Sequence, residues 1–239
     1  FFLLIIFILF SNFKIQSSNL FFLDYFLNNN LFNLLFTTFC LSILINGSNF
    51  CDGVNINVSG YYLILLLGIY FISKDLGINF DIFIFIYPFI IFSIFNFLTL
   101  CFLGDNGSYF LSVLFGVFLI KVINSNVEIS PFFAILALWY PCFENLFSII
   151  RRTKKKFNSM KPDRNHLHHK LLNFLLIKFF LKNKKIANSL TGLLICAFNS
   201  FSMFLGYTFY NSSLILALIV IFNIMVYLII FSLLKNEKY

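Results

Sequence analysis

An all-α bundle that crosses a membrane several times is the fold this sequence predicts, and three observations predict it. Sixty per cent of the residues are hydrophobic and only 11% are charged, whereas soluble domains carry about a quarter charged residues. Mean hydropathy is +0.92. The apolar residues gather into runs of roughly 17 to 23, the length that crosses a ~30 Å hydrocarbon core as helix. These runs are continuous rather than alternating, which favours helices over a closed barrel. The five cysteines, Cys40, Cys51, Cys101, Cys142 and Cys196, are scattered. They form no CxxC pair, so neither a disulfide framework nor a structural zinc site is expected.

Taken in order, the chain begins on Phe1 inside an apolar run, Phe1–Phe10, without the basic start or cleavage site of a signal peptide. We expect the tail of a membrane helix there. A polar connection, Ser11–Asn19, precedes a short apolar piece, Leu20–Leu27, too short to span. About seven full spans are then expected, near 31–47, 57–73, 81–100, 110–126, 131–149, 186–208 and 214–234. Between the spans near 131–149 and 186–208, Pro162-Asp163 suggests a helix start, and 166–182 reads as an amphipathic helix at the membrane surface. No repeat and no soluble domain interrupts the pattern, so residues 1–239 are expected to form one transmembrane domain.

Orientation follows from the basic residues. The segment 150–185 holds twelve of the 17 lysines and arginines, which places it on the cytoplasmic side. Counting spans backwards puts 101–109 and 48–56 on that same side. Three chemically suggestive stretches thereby share one face, although the counting made no use of their content.

The first is Asn49-Phe50-Cys51-Asp52-Gly53-Val54-Asn55, where a carboxylate and amides could hold a metal or nucleotide, or serve the turn's own backbone. The second is Gly104-Asp105-Asn106-Gly107-Ser108. Ser108 or Asp105 can cap a helix beginning near Phe110, and glycines let backbone approach a ligand. Free N–H groups at a helix start favour phosphate, and an aspartate there suits Mg²⁺. The third holds all three histidines of the chain: Pro162-Asp163-Arg164-Asn165-His166-Leu167-His168-His169-Lys170. At helical spacing His166, His169, Lys170 and Asn173 share a face, with His168 off it. Imidazoles, Arg164 and Lys170 form a surface suited to a diphosphate; a zinc site is the rival reading and needs further ligands. Glu144, seven residues before Arg151 in an apolar span, is by its depth a functional candidate, but the favoured reading is a structural one, a pair with Arg151 or Arg152 near the interface.

These stretches together resemble the polyprenyl-phosphate N-acetylhexosamine-1-phosphate transferases, glycosyl transferase family 4. Asn49–Gly53 is similar to the family's NxxDG motif, Phe102–Ser108 to its FLGDxGS motif, and Pro162–His169 to the PDRxHLHH form of its N-acetylglucosamine-1-phosphate branch. The resemblance implies transfer of a sugar-1-phosphate from a UDP-sugar to polyprenyl phosphate, releasing UMP, in a bacterial inner membrane with the site facing the cytoplasm. It implies Mg²⁺, with Mn²⁺ as the alternative ion, held by Asp105. Asp52, His166, His168 and His169 would act beside it as catalytic residues. Asn49, Gly53, Asn55, Gly104, Gly107, Ser108, Arg164 and Lys170 would line the substrate pocket. Expected partners are the lipid, the nucleotide-sugar and a membrane, with a homodimer left open and no nucleic acid.

The chain departs from the family pattern in two places. The family's upstream DDxxD pair has no counterpart, since no two aspartates are adjacent here; we expect that the N-terminal part of the family domain is missing from this sequence. Asn55 stands where the family often has a further Asp, which weakens the assignment of the donor. Competing readings are a muramoyl-pentapeptide transferase, another UDP-hexosamine donor, or a transporter or lipid-binding protein. Sparse mid-span polarity disfavours a transporter.

Overall fold

A computed structural model describes residues 2–11, 13–77, 83–154, 165–178 and 183–234. Among these residues there is no strand, and eleven helices follow one another: α1 (Phe2–Ser11), α2 (Phe21–Leu27), α3 (Asn30–Cys51), α4 (Asn57–Asp75), α5 (Phe83–Phe97), α6 (Gly104–Ser125), α7 (Phe132–Ala137), α8 (Trp139–Lys154), α9 (Leu167–Lys178), α10 (Lys184–Thr208) and α11 (Ser213–Leu233). The all-α, multi-pass membrane architecture stands. Five of the described helices, α3, α4, α6, α10 and α11, are long and apolar enough to cross a bilayer.

The other two expected spans are where sequence and structure differ. The run 81–100 gives α5, whose described residues end at Phe97 in a turn with Thr99 in the left-handed region (φ 61). The run 131–149 is not one helix: it breaks at Leu138 into α7 and α8. Pro141 supplies the cause. It has no N–H for the carbonyl four residues back, and its ring crowds that carbonyl. The acceptor so released is that of Ala137, and the Tyr61 hydroxyl of α4 donates to it at 2.7 Å. A buried backbone acceptor in an apolar interior must find such a partner.

Helix starts follow the sequence where a polar cap is present. Asn29 accepts from the amides of Leu31 and Phe32 ahead of α3, and Asn183 from Lys185 and Ile186 ahead of α10. The bundle is organised on α4, which packs along α10 and is its most completely enclosed span. Small residues set that distance, since lipid-embedded helices gain by close van der Waals approach. A Cβ added at Gly60 would lie 2.7 Å from the Cys196 sulfur, and one at Gly68 2.8 Å from the Met203 side chain. Gly47 of α3 likewise lies against Pro141 of α8, and Gly116 of α6 against Leu41 and Leu44. Interhelical hydrogen bonds add direction: Ser48 with Tyr62 (2.6 Å), Trp139 Nε1 to Asn199 (2.9 Å) and Asn223 to Ser202 (2.7 Å).

The elements alternate so that the α3–α4 turn, the α5–α6 turn, the C-terminal end of α8, and α9 gather at one end of the bundle. The other end is tied separately, by Asn124 to the Lys14 carbonyl, by Asn19 and Ser130 to Ser213, and by Tyr207 to Asp75.

Candidate functional site

The five residues between α3 and α4 are the hub of the first end. Asn49 lies in the last turn of α3 and Asp52 caps it, its amide bonded to the Asn49 carbonyl. A tight turn follows, closed by the Asn57 side chain on the Cys51 carbonyl at 2.7 Å. Ile56 takes a left-handed conformation (φ 61), which is costly for a β-branched residue. Asn96, at the end of α5, holds it there: its Oδ1 accepts from the Ile56 amide and the Ser59 hydroxyl, and its Nδ2 donates to the Cys101 carbonyl. Replacing Asn96 by Leu leaves the Ile56 amide without its acceptor, so we expect a loss of about 1–3 kcal/mol, read as a lower thermal unfolding temperature in detergent. An unchanged transition would show that the turn holds its shape without Asn96.

The second expected stretch meets this hub directly. Asn49 Nδ2 donates to Asp105 Oδ1 at 2.9 Å. Asp105 is exposed in the first turn of α6, and Asp52 is half-buried. Burial, and then the neighbouring charge of Asp105, push the Asp52 carboxyl up to about 6, while the backbone amide of Gly104 pulls it the other way. Contrary to the sequence expectation, neither Ser108 nor Asp105 caps a helix near Phe110. The helix already starts at Gly104, which takes a left-handed φ of 67°. Ser108 is buried one turn in and donates to the Asp105 carbonyl, and Gly107 lies against the Leu103 side chain.

The histidines come to the same hub. His166 directly precedes α9, its carbonyl accepting from the Lys170 amide, but the expected face is divided, with Lys170 turned to Phe231 and Asn173 exposed. Instead all three rings pack together: His166 stacks parallel on His168 with centroids 5.6 Å apart, and His168 lies 4.2 Å from His169. His168, expected at the site but off the helical face of His166, is fully buried, with neither ring nitrogen hydrogen-bonded. Burial, followed by the charges of His169 and His166, holds its pKa well below the usual imidazole value. The ring sits on Gly53, so close that a Cβ there would lie 2.1 Å from His168 Nε2. His166 packs on Phe50, with centroids 5.3 Å apart, and the Arg152 guanidinium lies over the same Phe50 ring, 5.8 Å from its centroid.

The remaining expected residues fall differently. Asn55 is buried and turned to α10: its amide N–H reaches Asn188 and its side chain reaches Ser189. Lys170 is buried with its ammonium over the Phe231 ring, and Asn173 is exposed. Arg164, like Pro162 and Asp163, lies outside the described residues. Glu144 does not form the expected surface pair. It is fully buried, and its partners are His166 Nδ1 at 2.8 Å and the Tyr227 hydroxyl at 2.6 Å. Sequence reasoning did not name Tyr227 or Asn96; the available signal was a polar side chain within an apolar run near the basic end.

Chemically, the turn that carries Asp52 meets a second, repelling carboxylate, Asp105 of α6, and the three imidazoles at the start of α9. Among the described residues no three His, Cys, Asp or Glu side chains converge as a metal cage. The Asp52–Asp105 pair does fit Mg²⁺, which takes one or two carboxylates and completes its shell with water and phosphate.

Comparison with known proteins bears on the same residues. The family model described as glycosyl transferase family 4 matches residues 1–123, which include both the Asn49–Gly53 and Gly104–Ser108 stretches. A Bacillus subtilis protein named as a probable undecaprenyl-phosphate N-acetylglucosaminyl 1-phosphate transferase is 36% identical over 74 residues, 30% of this chain and 21% of its own. The decaprenyl-phosphate N-acetylglucosaminephosphotransferase of Mycolicibacterium smegmatis is 28% identical over 164 residues, 59% of this chain and 40% of its own. The chain thus spans less than half the length of these two relatives. No solved structure matches it.

Proposed function

The chain belongs to glycosyl transferase family 4, and from that premise we propose that it transfers N-acetylglucosamine-1-phosphate from a UDP-sugar to polyprenyl phosphate. The site would face the cytoplasm of a bacterial inner membrane. The observation that carries the reading is the junction at Asn49–Gly53, where Asp105 and the histidines arrive from separate helices on one short turn. Both relatives are named for a polyprenyl-phosphate N-acetylglucosamine transfer, which supports N-acetylglucosamine over a muramoyl-pentapeptide.

In the proposed reaction an oxygen of polyprenyl phosphate bonds to the β-phosphorus of the UDP-sugar. The bond from that phosphorus to the bridging oxygen breaks, and UMP leaves with the electron pair. Such transfers need positioning and neutralisation of charge more than covalent catalysis. Asp105, with Asp52 beside it, would hold Mg²⁺, which supplies charge neutralisation to the diphosphate. Asn49 would fix the Asp105 carboxylate through its 2.9 Å bond. His166 and His169 would donate to or accept from phosphate and sugar oxygens. His168, buried and neutral, would wedge their turn against Gly53. A lipid acceptor accounts for a site at the end of a membrane bundle.

Membranes containing the full-length protein are expected to convert radiolabelled UDP-N-acetylglucosamine into a lipid-linked diphospho-sugar and to release UMP, in a Mg²⁺-dependent manner. Release of UDP would mean that the sugar, rather than the sugar-phosphate, is transferred, and would overturn the reaction.

A further inference from the structure

Three elements contribute to the contact beneath the histidine turn. Glu144 comes from α8, His166 from the turn before α9, and Tyr227 from α11. Glu144 is 0% exposed, Tyr227 2% and His166 4%. A carboxylate taken out of water is costly unless its oxygens are partnered, and here each oxygen has one partner. An apolar side chain would fill the same space without that desolvation. What an apolar side chain could not do is fix a ring.

A carboxylate only accepts hydrogen bonds, and the Tyr227 hydroxyl already donates to one of its oxygens. The contact at the other oxygen therefore places a proton on Nδ1 of His166, and Nε2 is the nitrogen left for a ligand. The partner of one ring nitrogen decides which tautomer the other presents. The same bond stops rotation of the imidazole about its Cβ–Cγ axis, with Phe50 and the stacked His168 ring bounding it. Tyr227 in turn holds the carboxylate, so that α11, far along the chain from the turn, enters the site through two hydrogen bonds.

We infer that Glu144 is a positioning residue that holds His166 as the Nδ1–H tautomer with Nε2 presented to substrate, and that Tyr227 anchors Glu144. This deepens the proposed transfer reaction and rests on it for the kinetic readout, but not for the spectroscopic one.

The test uses the full-length protein in lipid nanodiscs with ¹⁵N-labelled histidine, the His166 signals being assigned by their loss in His166→Gln. In the unsubstituted protein the expected signature is a protonated Nδ1 and an unprotonated Nε2. Glu144→Gln, which offers one acceptor oxygen to two donors, and Glu144→Leu, which offers none, are expected to move the ring towards the Nε2–H tautomer. Both should lower kcat by about 10- to 100-fold, the usual effect of removing such a supporting partner, with KM for the nucleotide-sugar within about twofold. Combining either with His166→Gln should add no further loss, because residues that act through one another are not additive. Tyr227→Phe leaves the carboxylate and is expected to give a smaller shift in the same direction, which keeps the inference testable if both Glu144 variants fail to fold. An Nε2–H ring in the unsubstituted protein, an unshifted ring in the folded variants, or additive losses would each overturn it. A correct tautomer in a protein that makes no lipid-linked product would instead sink the transfer reading and leave the positioning role standing.

Discussion

Asp105→Asn is expected to lower turnover by about three orders of magnitude while leaving the bundle folded. The substitution keeps the size of the side chain and an oxygen that can still accept from Asn49, so the 2.9 Å contact has no reason to break. What disappears is the charge. Removing a single preorganised charge-stabilising group from a reaction that develops negative charge costs about 10²- to 10³-fold, and a group proposed to hold the cation as well belongs at the upper end. The cost to stability is small: an exposed carboxylate in the first turn of α6 contributes about 0.3–1 kcal/mol through the helix dipole. Two measurements separate these effects. Thermal unfolding should barely move, and Mg²⁺ with UDP, expected to raise the unfolding temperature of the unsubstituted protein, should not raise that of the variant, since a ligand stabilises only the state that binds it. The Asp52 carboxyl, freed of its charged neighbour, should titrate lower than about 6 while burial still holds it up. An Asp105→Asn protein with ordinary turnover would remove the metal assignment altogether.

The fold class was legible because hydropathy is additive along the chain: α3, α4, α6, α10 and α11 each announce themselves by length and composition alone. The break between α7 and α8 was not, although Pro141 stood in plain view. A proline inside an apolar run can kink a helix or end it. Which occurs depends on whether another helix satisfies the released carbonyl, and Tyr61 is 76 residues away. The end of α5 has the same character, since Asn96 is needed to hold Ile56, 40 residues earlier.

At the site, the sidedness of the three stretches could be derived from charge and span order, and the structure gathers them at one end. The individual contacts could not. A helical wheel drawn from His166 put His169, Lys170 and Asn173 on its face and left His168 off it, without saying what either face meets. In the structure His168 is buried and Lys170 faces Phe231. Glu144 did signal that it needed a partner, and the nearest basic residues in sequence were Arg151 and Arg152. The partner it has, His166, lies across the loop, 22 residues on. Asn55, read as a substrate contact from its place in a motif, is occupied by α10, 134 residues later. In each case the residue's chemistry was legible and its partner was set by tertiary packing.

Gly53→Ala is the second substitution expected to have a large effect, for a reason the motif does not contain. Gly53 has no left-handed conformation to protect; Gly104 does, at φ 67°, but has nothing within 4 Å of its added Cβ. At Gly53 the constraint is space. A methyl group there would sit 2.1 Å from His168 Nε2 and 3.1 Å from His169 Cε1. Those rings cannot swing aside cheaply, because His168 is wholly enclosed and stacked against His166. Either the histidine turn or the Asp52 turn must move by about an ångström, and displacements of that size at a reacting centre cost about 10²-fold. We therefore expect kcat/KM to fall about 100-fold in Gly53→Ala, whereas Gly104→Ala should cost about 1 kcal/mol or somewhat more of stability from the left-handed backbone and far less activity. Measuring both in the same membranes decides the matter: equal losses would mean that flexibility of the motif glycines matters, and a silent Gly53→Ala would mean that His168 does not rest on this turn.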